Sequence, residues 1–302
     1  MAGYAQHEQS RSHARFEVKA AGWDDKPVVR GITSMLETWI TGQDWWRPPM
    51  NGPTLDFGCG TGCLTMALRD GLGGRVTAVD TSRAMLEQLD IKAKGRGVTT
   101  VAIELTGPGQ LGEGADDSFA LAYTSLTLHH IRECERAVST LAGYLRPGGR
   151  LLVFDIEATD DAHMFHPAGF ELGNQLEHHG IREGDLRAWC DNTGMLEDIR
   201  VDRLKFRKGE GEDAAFGTGK EFTLLALSCV RIAEGAEARA ARSSAAELDR
   251  ADNCLACKRR EVVFECVPCG CHAFCKACAM KVATGGRCKR CKQMFTDLKR
   301  LR

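Results

Sequence analysis

Leu55-Asp56-Phe57-Gly58-Cys59-Gly60-Thr61-Gly62 is the stretch whose reading decides the fold. Thr54 to Phe57 read as a short apolar strand and Cys63 to Leu68 as the opening turns of a helix, so the chain must turn sharply between them. Glycine supplies that turn, because a residue without a Cβ accepts positive φ and lets a ligand approach the backbone. The spacing is G-x-G-x-G after an acidic residue, not the G-x-G-x-x-G of a dinucleotide site, and the Lys-Ser/Thr ending of a P-loop is missing. A second strand, Arg75 to Val79, ends in Asp80, an acid placed to accept both hydroxyls of a ribose.

Working outward, strands and helices alternate. Lys26-Pro27 opens a helix in which Val28, Ile32, Met35, Leu36 and Ile40 recur at helical spacing. Thr99 to Leu105 and Phe119 to Leu126 read as the third and fourth strands. Ile131 to Leu145 form an amphipathic helix stopped by Arg146-Pro147-Gly148-Gly149. Arg150 to Ile156 run almost without polar interruption, as a strand covered on both faces should. Glu183 to Asn192 are helical and end at Gly194, and Ile199 to Phe206 with Phe222 to Ile232 suit a terminal antiparallel pair. This order predicts a doubly wound α/β sheet, whose ligands bind beyond the carboxyl ends of the strands.

The glycine stretch, together with Val79-Asp80-Thr81-Ser82 and Met85-Leu86, resembles the first and second motifs of the class I S-adenosylmethionine-dependent methyltransferases. Leu145 to Leu151 match the turn these enzymes use before strand five, and Leu126 to Ile131 are similar to the corresponding segment of the methyltransferases of quinone biosynthesis. The resemblance implies a seven-stranded, Rossmann-like sheet and S-adenosyl-L-methionine as cofactor. It implies that Asp56, Gly58, Cys59, Gly60, Thr61 and Gly62 line the cofactor, with Asp80 on the ribose. Thr81 and Met85 would lie by the adenine, with Leu105 and Thr124 on the same rim. The family's Gly-Asp signature after strand three is absent from Glu104 to Gln110, so the adenine amine has no assigned partner.

On the acceptor side the same resemblance points to a small-molecule methyl acceptor. Phe16 and Trp23 anchor a segment that either covers the cofactor or staples the next helix. His129 and His130 are candidate general bases, or else one caps the following helix while the other packs beneath it. Asp155, ending strand five, and His179, in His178-His179-Gly180-Ile181, are candidates for the substrate pocket, His179 equally as a helix cap. The Asn/Asp-Pro-Pro-aromatic signature of amino-group methylation is absent after strand four.

Hydrophobic residues make up 43% of the 302 and charged residues 27%, as in a soluble globular protein. No apolar core of signal-peptide length opens the chain, and the longest apolar run, near Leu224 to Val230, is too short to span a bilayer. A cytoplasmic or nuclear protein without a membrane partner is expected. The net charge of −1 hides an asymmetry: Cys254 to Arg302 carry twelve Lys/Arg against three Asp/Glu, a net of +9. Little aromatic residue is interleaved with these cations, so no nucleic-acid partner is expected.

The organisation expected is a flexible segment 1–15, a methyltransferase domain 16–232, an Ala-, Glu- and Arg-rich linker 233–253, and a cysteine-rich tail 254–302. Nine of the fourteen cysteines lie between Cys254 and Cys291, in close pairs that suit a reducing compartment and zinc. Cys254, Cys257, Cys269, His272, Cys275, Cys278, Cys288 and Cys291 supply eight ligands for two tetrahedral zinc ions. The spacing resembles a C3HC4 RING finger, which implies that Cys254, Cys257, Cys275 and Cys278 share one ion and Cys269, His272, Cys288 and Cys291 the other. Cys271, beside His272, competes with Cys269 for the third position, and Cys266 is also surplus. RING domains commonly recruit a ubiquitin-conjugating enzyme, but Ala256, Lys289 and Lys292 depart from that surface. The alternative reading is therefore a RING-type ubiquitin ligase or interaction protein whose methyltransferase-like domain is a sensor or scaffold.

Overall fold

The structure is a computed structural model that describes residues 16, 18–166, 176–208, 219–233, 254, 256, 262–267, 271–282, 286–288 and 293–301. The chain separates into two compact units, Met1–Ala233 and Glu234–Arg302. The expected flexible segment 1–15 and almost all of the expected linker lie outside the described residues.

The first unit begins with α1 (Pro27–Thr41), where proline at the first helical position gives up only an N–H that no helix bond needs. It continues through β1 (Thr54–Phe57), α2 (Cys63–Leu68), β2 (Val76–Asp80), α3 (Arg83–Ala93), β3 (Val98–Ala102) and β4 (Phe119–Ser125). There follow α4 (Cys134–Tyr144), β5 (Leu145–Ile156), α5 (Glu183–Asn192), β6 (Leu196–Lys208) and β7 (Lys220–Arg231). The seven strands run in the order β3-β2-β1-β4-β5-β7-β6. β1 to β5 pair in parallel, and β7 inserts antiparallel between β5 and β6.

Alternation of side chains along each strand divides the core between the two faces. In β5, Leu151 and Val153 pack with Val138, Leu141 and Leu186 of α4 and α5. Leu152, Phe154 and Ile156 pack on the opposite face with Ile32, Leu36 and Ile40 of α1 and Leu64 and Leu68 of α2. Both sets are buried, which is why the strand reads as an unbroken apolar run.

Several boundaries differ from the sequence expectation, two of them near the carboxyl rim. β3 stops at Ala102, because the Gln110 side-chain oxygen accepts the N–H groups of Thr106 (2.7 Å) and Gly107 (2.8 Å) and holds the chain in a loop. The helix after β4 starts at Cys134 rather than Ile131, because a 3₁₀ turn, Leu128–His130, precedes it. β5 reaches back to Leu145, through the residues that stop α4.

The second unit holds β8 (Phe264–Val267), β9 (His272–Phe274), α6 (Lys276–Ala279), β10 (Gly286–Arg287), β11 (Met294–Phe295) and β12 (Asp297–Arg300). β12, β8 and β9 form one antiparallel sheet and β10 pairs with β11. Cys254, Cys266, Cys275 and Cys288 are buried with Phe274 and Phe295 in a small core.

Leu152, fully buried at the centre of β5, makes the packing testable. Leu152→Ala should cost about 2–5 kcal/mol in chemical denaturation, whereas Ile91→Ala, at a residue 73% exposed, should change stability by less than about 0.5 kcal/mol.

Candidate functional site

The glycine loop between β1 and α2 is built on left-handed backbone, with φ of +69° at Gly58, +52° at Gly60 and +75° at Gly62. The three positions face different surroundings. A Cβ on Gly58 would strike the Thr127 side chain and one on Gly62 would strike Leu89 of α3, whereas one on Gly60 would meet nothing within 4 Å. Two glycines therefore permit close packing, and the third opens the loop onto empty space.

The loop is fastened to β2. Val79 O accepts the N–H groups of Gly58 (2.8 Å) and Cys59 (3.1 Å), and Asp80 Oδ2 accepts that of Gly60 (2.8 Å). Asp80 Oδ1 accepts the N–H of Ser82 (2.8 Å), and Ser82 caps α3 through the N–H of Met85 (3.2 Å). Asp80 is half-buried. Met85 is buried, Thr81 exposed, and Leu105 buried beyond the end of β3.

A second fastening comes from the N-terminal segment, which ends the stretch containing Phe16 and Trp23. Asp24 accepts hydrogen bonds from Thr61 Oγ1 (2.5 Å) and Cys63 Sγ (3.1 Å) and forms an ion pair with Lys92. Burial alone would raise the Asp24 carboxyl, but its bonds to Lys92, Thr61 and Cys63 hold it below the usual range. Phe16 packs edge-on against Trp23 (5.7 Å between centroids) and against His130 (5.5 Å). Thr61 thus spends its hydroxyl on Asp24, a partner that sequence reading did not assign.

Asp56 and Thr124 are turned into the sheet instead of onto the rim, and both are buried. The Asp56 carboxylate accepts a hydrogen bond from Thr65 of α2. Desolvation lifts its carboxyl to about 7, the Thr65 bond opposing and the Asp80 charge adding to the lift.

Beyond β4 the chain turns through Leu126, which adopts φ of +54°, uncommon for a side chain of its size. Thr127 Oγ1 then donates to Ser125 O (3.0 Å) and faces Gly58 O (3.3 Å). That turn sends His129 inward. Its Nδ1 lies 2.6 Å from Asp155 Oδ1 and its backbone N–H reaches Asp155 Oδ2 (3.3 Å). Both residues are buried. His130 stacks on His129 (4.1 Å between centroids), and His166 lies 5.0 Å from His129. Burial first, then neighbouring charge, pushes the His166 imidazole down to about 2, so it is neutral at any working pH. Sequence reading did not single out His166, which lies 36 and 37 residues beyond the adjacent pair it packs on.

The backbone N–H groups of Glu177 and His178 both donate to His129 O (3.0 Å each). His178 and His179 then line a cavity of about 380 Å³ with Ala158, Thr159, Arg182 and Trp189. In the second unit, the thiol sulfurs of Cys254, Cys275 and Cys278 all lie within 4.8 Å of one another. Cys275 sits at the start of α6, so the one-turn spacing to Cys278 presents both thiols on one side. His272 is exposed, its Nε2 3.9 Å from Glu265 Oε2, and Cys288 is buried. Cys257, Cys269 and Cys291, with Lys289 and Lys292, lie outside the described residues.

The methyltransferase-domain family matches residues 55–153, from the start of β1 to the middle of β5. Residues 55–153 are thus what this chain shares with a methyltransferase domain. The chain is similar to the ubiquinone biosynthesis O-methyltransferase of Nitrosococcus oceani, 28% identical over 183 residues, or 55% of this chain and 77% of that protein. The protein of the same name from Xylella fastidiosa is 32% identical over 166 residues, covering 51% of this chain and 65% of that one. The chain thus spans about two thirds to three quarters of the length of these two relatives. In fold, the methyltransferase domain is like the N-methyltransferase NodS from Bradyrhizobium japonicum, solved with S-adenosyl-L-homocysteine. That likeness has a TM-score of 0.52 at 16% identity and covers 73% of this chain and 98% of that one.

Asp56 gives the methyltransferase domain a signed pH dependence. Between its ordinary value of 3.8 and about 7 the folded state holds a proton that the unfolded chain has released, so stability falls as pH rises through that window. At about 1.4 kcal/mol per unit, the loss is up to about 4 kcal/mol. Denaturant titrations at several pH values should show Asp56→Asn lacking this component; identical slopes in both proteins would contradict it.

Proposed function

We propose that the first unit is an S-adenosyl-L-methionine-dependent methyltransferase acting on a small-molecule acceptor. The observation that carries this reading is the opening at Gly60: a backbone cradle that a Cβ would fill, fastened to the half-buried carboxylate of Asp80 at the end of β2. The backbone of Gly58 and Gly60 would hold the methionine portion, Asp80 the ribose hydroxyls, and Thr81 and Met85 the adenine side. The cofactor, when bound, supplies an electrophilic sulfonium methyl group open to in-line displacement. The chain's own residues align the acceptor and exclude water, Phe16 and Trp23 as the cover and the His178–His179 cavity as the acceptor side. The ubiquinone biosynthesis relatives support a quinone-biosynthesis-like acceptor.

For the second unit we propose structural zinc. Three soft thiol donors already gathered within 4.8 Å fit that ion, with Cys254, Cys275 and Cys278 as ligands and Cys257 as the fourth. So small a core needs the binding free energy of a metal to fold.

Two measurements test these readings. Calorimetric titration with S-adenosylmethionine should show binding that Asp80→Ala weakens by about 1–3 kcal/mol, through lost hydrogen bonds. Gly60→Ala should stay folded yet bind poorly, because its new Cβ enters the cradle and not the core. No binding by the wild-type chain would end the reading. Elemental analysis of the purified chain should find zinc, reduced by one ion per chain in Cys275→Ser; a metal-free wild type would refute the second proposal.

A further inference from the structure

Two histidines stand side by side after β4, yet only one is built to move a proton. We infer that His129 is the general base of the methyl transfer and Asp155 its positioning residue, so that the acceptor is a hydroxyl; this rests on the methyltransferase reading above.

Asp155 lies in β5, opposite Leu225 of β7, with its carboxylate fully buried. Oδ1 accepts the N–H of Ile156 (2.8 Å) and faces His129 Nδ1 (2.6 Å), while Oδ2 accepts the backbone N–H of His129 (3.3 Å). Both oxygens are committed, so the carboxylate cannot swing away. An ionised carboxylate only accepts, which puts the imidazole proton on Nδ1 and leaves the lone pair on Nε2. That Nε2 is buried and has no hydrogen-bond partner among the described residues. A buried acceptor with no partner among the described residues is open to an incoming donor. A hydroxyl is such a donor.

The ring is also tied to the cofactor loop. Thr127, two residues before His129, packs its side chain into the space that Gly58 leaves, so the base and the cradle are positioned by one contact. The neighbouring His166 is neutral and does not compete as a cation. A shared metal ion does not account for the cluster: among the described residues the only convergent group of three ligands is the cysteine set of the second unit.

In the step itself, the acceptor oxygen bonds to the methyl carbon as the sulfur–methyl bond breaks with its electron pair left on sulfur. The hydroxyl proton passes to Nε2, Asp155 stays ionised beside the resulting imidazolium, and the proton later leaves to solvent. Phe16 packs on His130 and His130 on His129, so acceptor entry displaces rings already stacked over the base.

The test uses the full chain with catechol and 4-nitrocatechol as probes. Without cofactor, at a pH below the first ionisation of free 4-nitrocatechol, the wild type should bind the probe and show the visible band of its ionised form. His129→Gln and Asp155→Asn should lack that band. With cofactor, His129→Gln should lower kcat for catechol by about 10²–10⁴-fold while the dissociation constant for S-adenosylmethionine stays within twofold. The loss should shrink for 4-nitrocatechol at a pH where it is already ionised. Independently of any variant, the wild type should show a low-field Nδ1 proton resonance. Its absence, or equal losses for both probes, would overturn the assignment. If the wild type binds S-adenosylmethionine but neither ionises nor methylates either probe, the hydroxyl acceptor is refuted and the methyltransferase reading stands. Failure to bind S-adenosylmethionine sinks that reading instead.

Discussion

The backbone between β1 and α2 folds back on the strand beside it, and the rest of the site depends on that contact. Val79 O takes two N–H groups of the loop and the Asp80 carboxylate takes a third. Left-handed backbone at Gly58, Gly60 and Gly62 makes the turn tight enough for this. Each neighbouring segment then docks on what the loop leaves free: Thr127 against Gly58, Leu89 against Gly62, and Asp24 on the Thr61 hydroxyl. Three segments distant in sequence are registered against one turn, which is how a cofactor cradle and an acceptor wall come to share a frame.

Two carboxylates are sealed inside this sheet, and they meet the cost of burial differently. Asp56 has Thr65 as a hydroxyl donor and responds to desolvation by holding its proton toward neutral pH. Asp155 has an imidazole and two backbone N–H groups. Donors converging on both of its oxygens fix the orientation of the carboxylate, which is what a positioning acid needs. Two strands of one sheet, with β4 between them, thus hold acids of the same chemistry for different ends: one braces α2 beneath the loop, the other fixes a ring.

Local pattern made much of the frame legible. The glycine stretch announced β1, the turn and α2. An uninterrupted apolar run announced a doubly covered β5. Glu183 to Asn192 carried their own stop at Gly194, and the helix occupies those residues. What local pattern missed lies where side chains meet across the fold. His129 and Asp155 are 26 residues apart, and their pairing depends on Leu126 taking a left-handed turn that its residue type does not favour. Asp56 looked like a cofactor contact because it stands beside the glycines, but strand alternation turns it inward onto Thr65. In the tail, cysteine spacing shows that ligands come in pairs. The meeting of Cys254 with Cys275 and Cys278 was expected only from the resemblance to a RING finger, and the folded unit brings those three thiols together.

Imidazole packing over the site has a consequence for water. His166 is held neutral by burial, His130 packs against Phe16, and the Nε2 of His129, whose ring touches both imidazoles, is itself buried. Were that nitrogen open to solvent, water would occupy it, and a substrate proton would have to compete with bulk hydrogen bonding. Dry surroundings remove that competition and strengthen the Asp155 contact that would stabilise an imidazolium. The same burial gives the acid its part: the His129 ring is held 2.6 Å from a buried carboxylate, which would balance an imidazolium in place. Of the two histidines after β4, the one beside the acid is therefore suited to take a proton where no solvent can receive it.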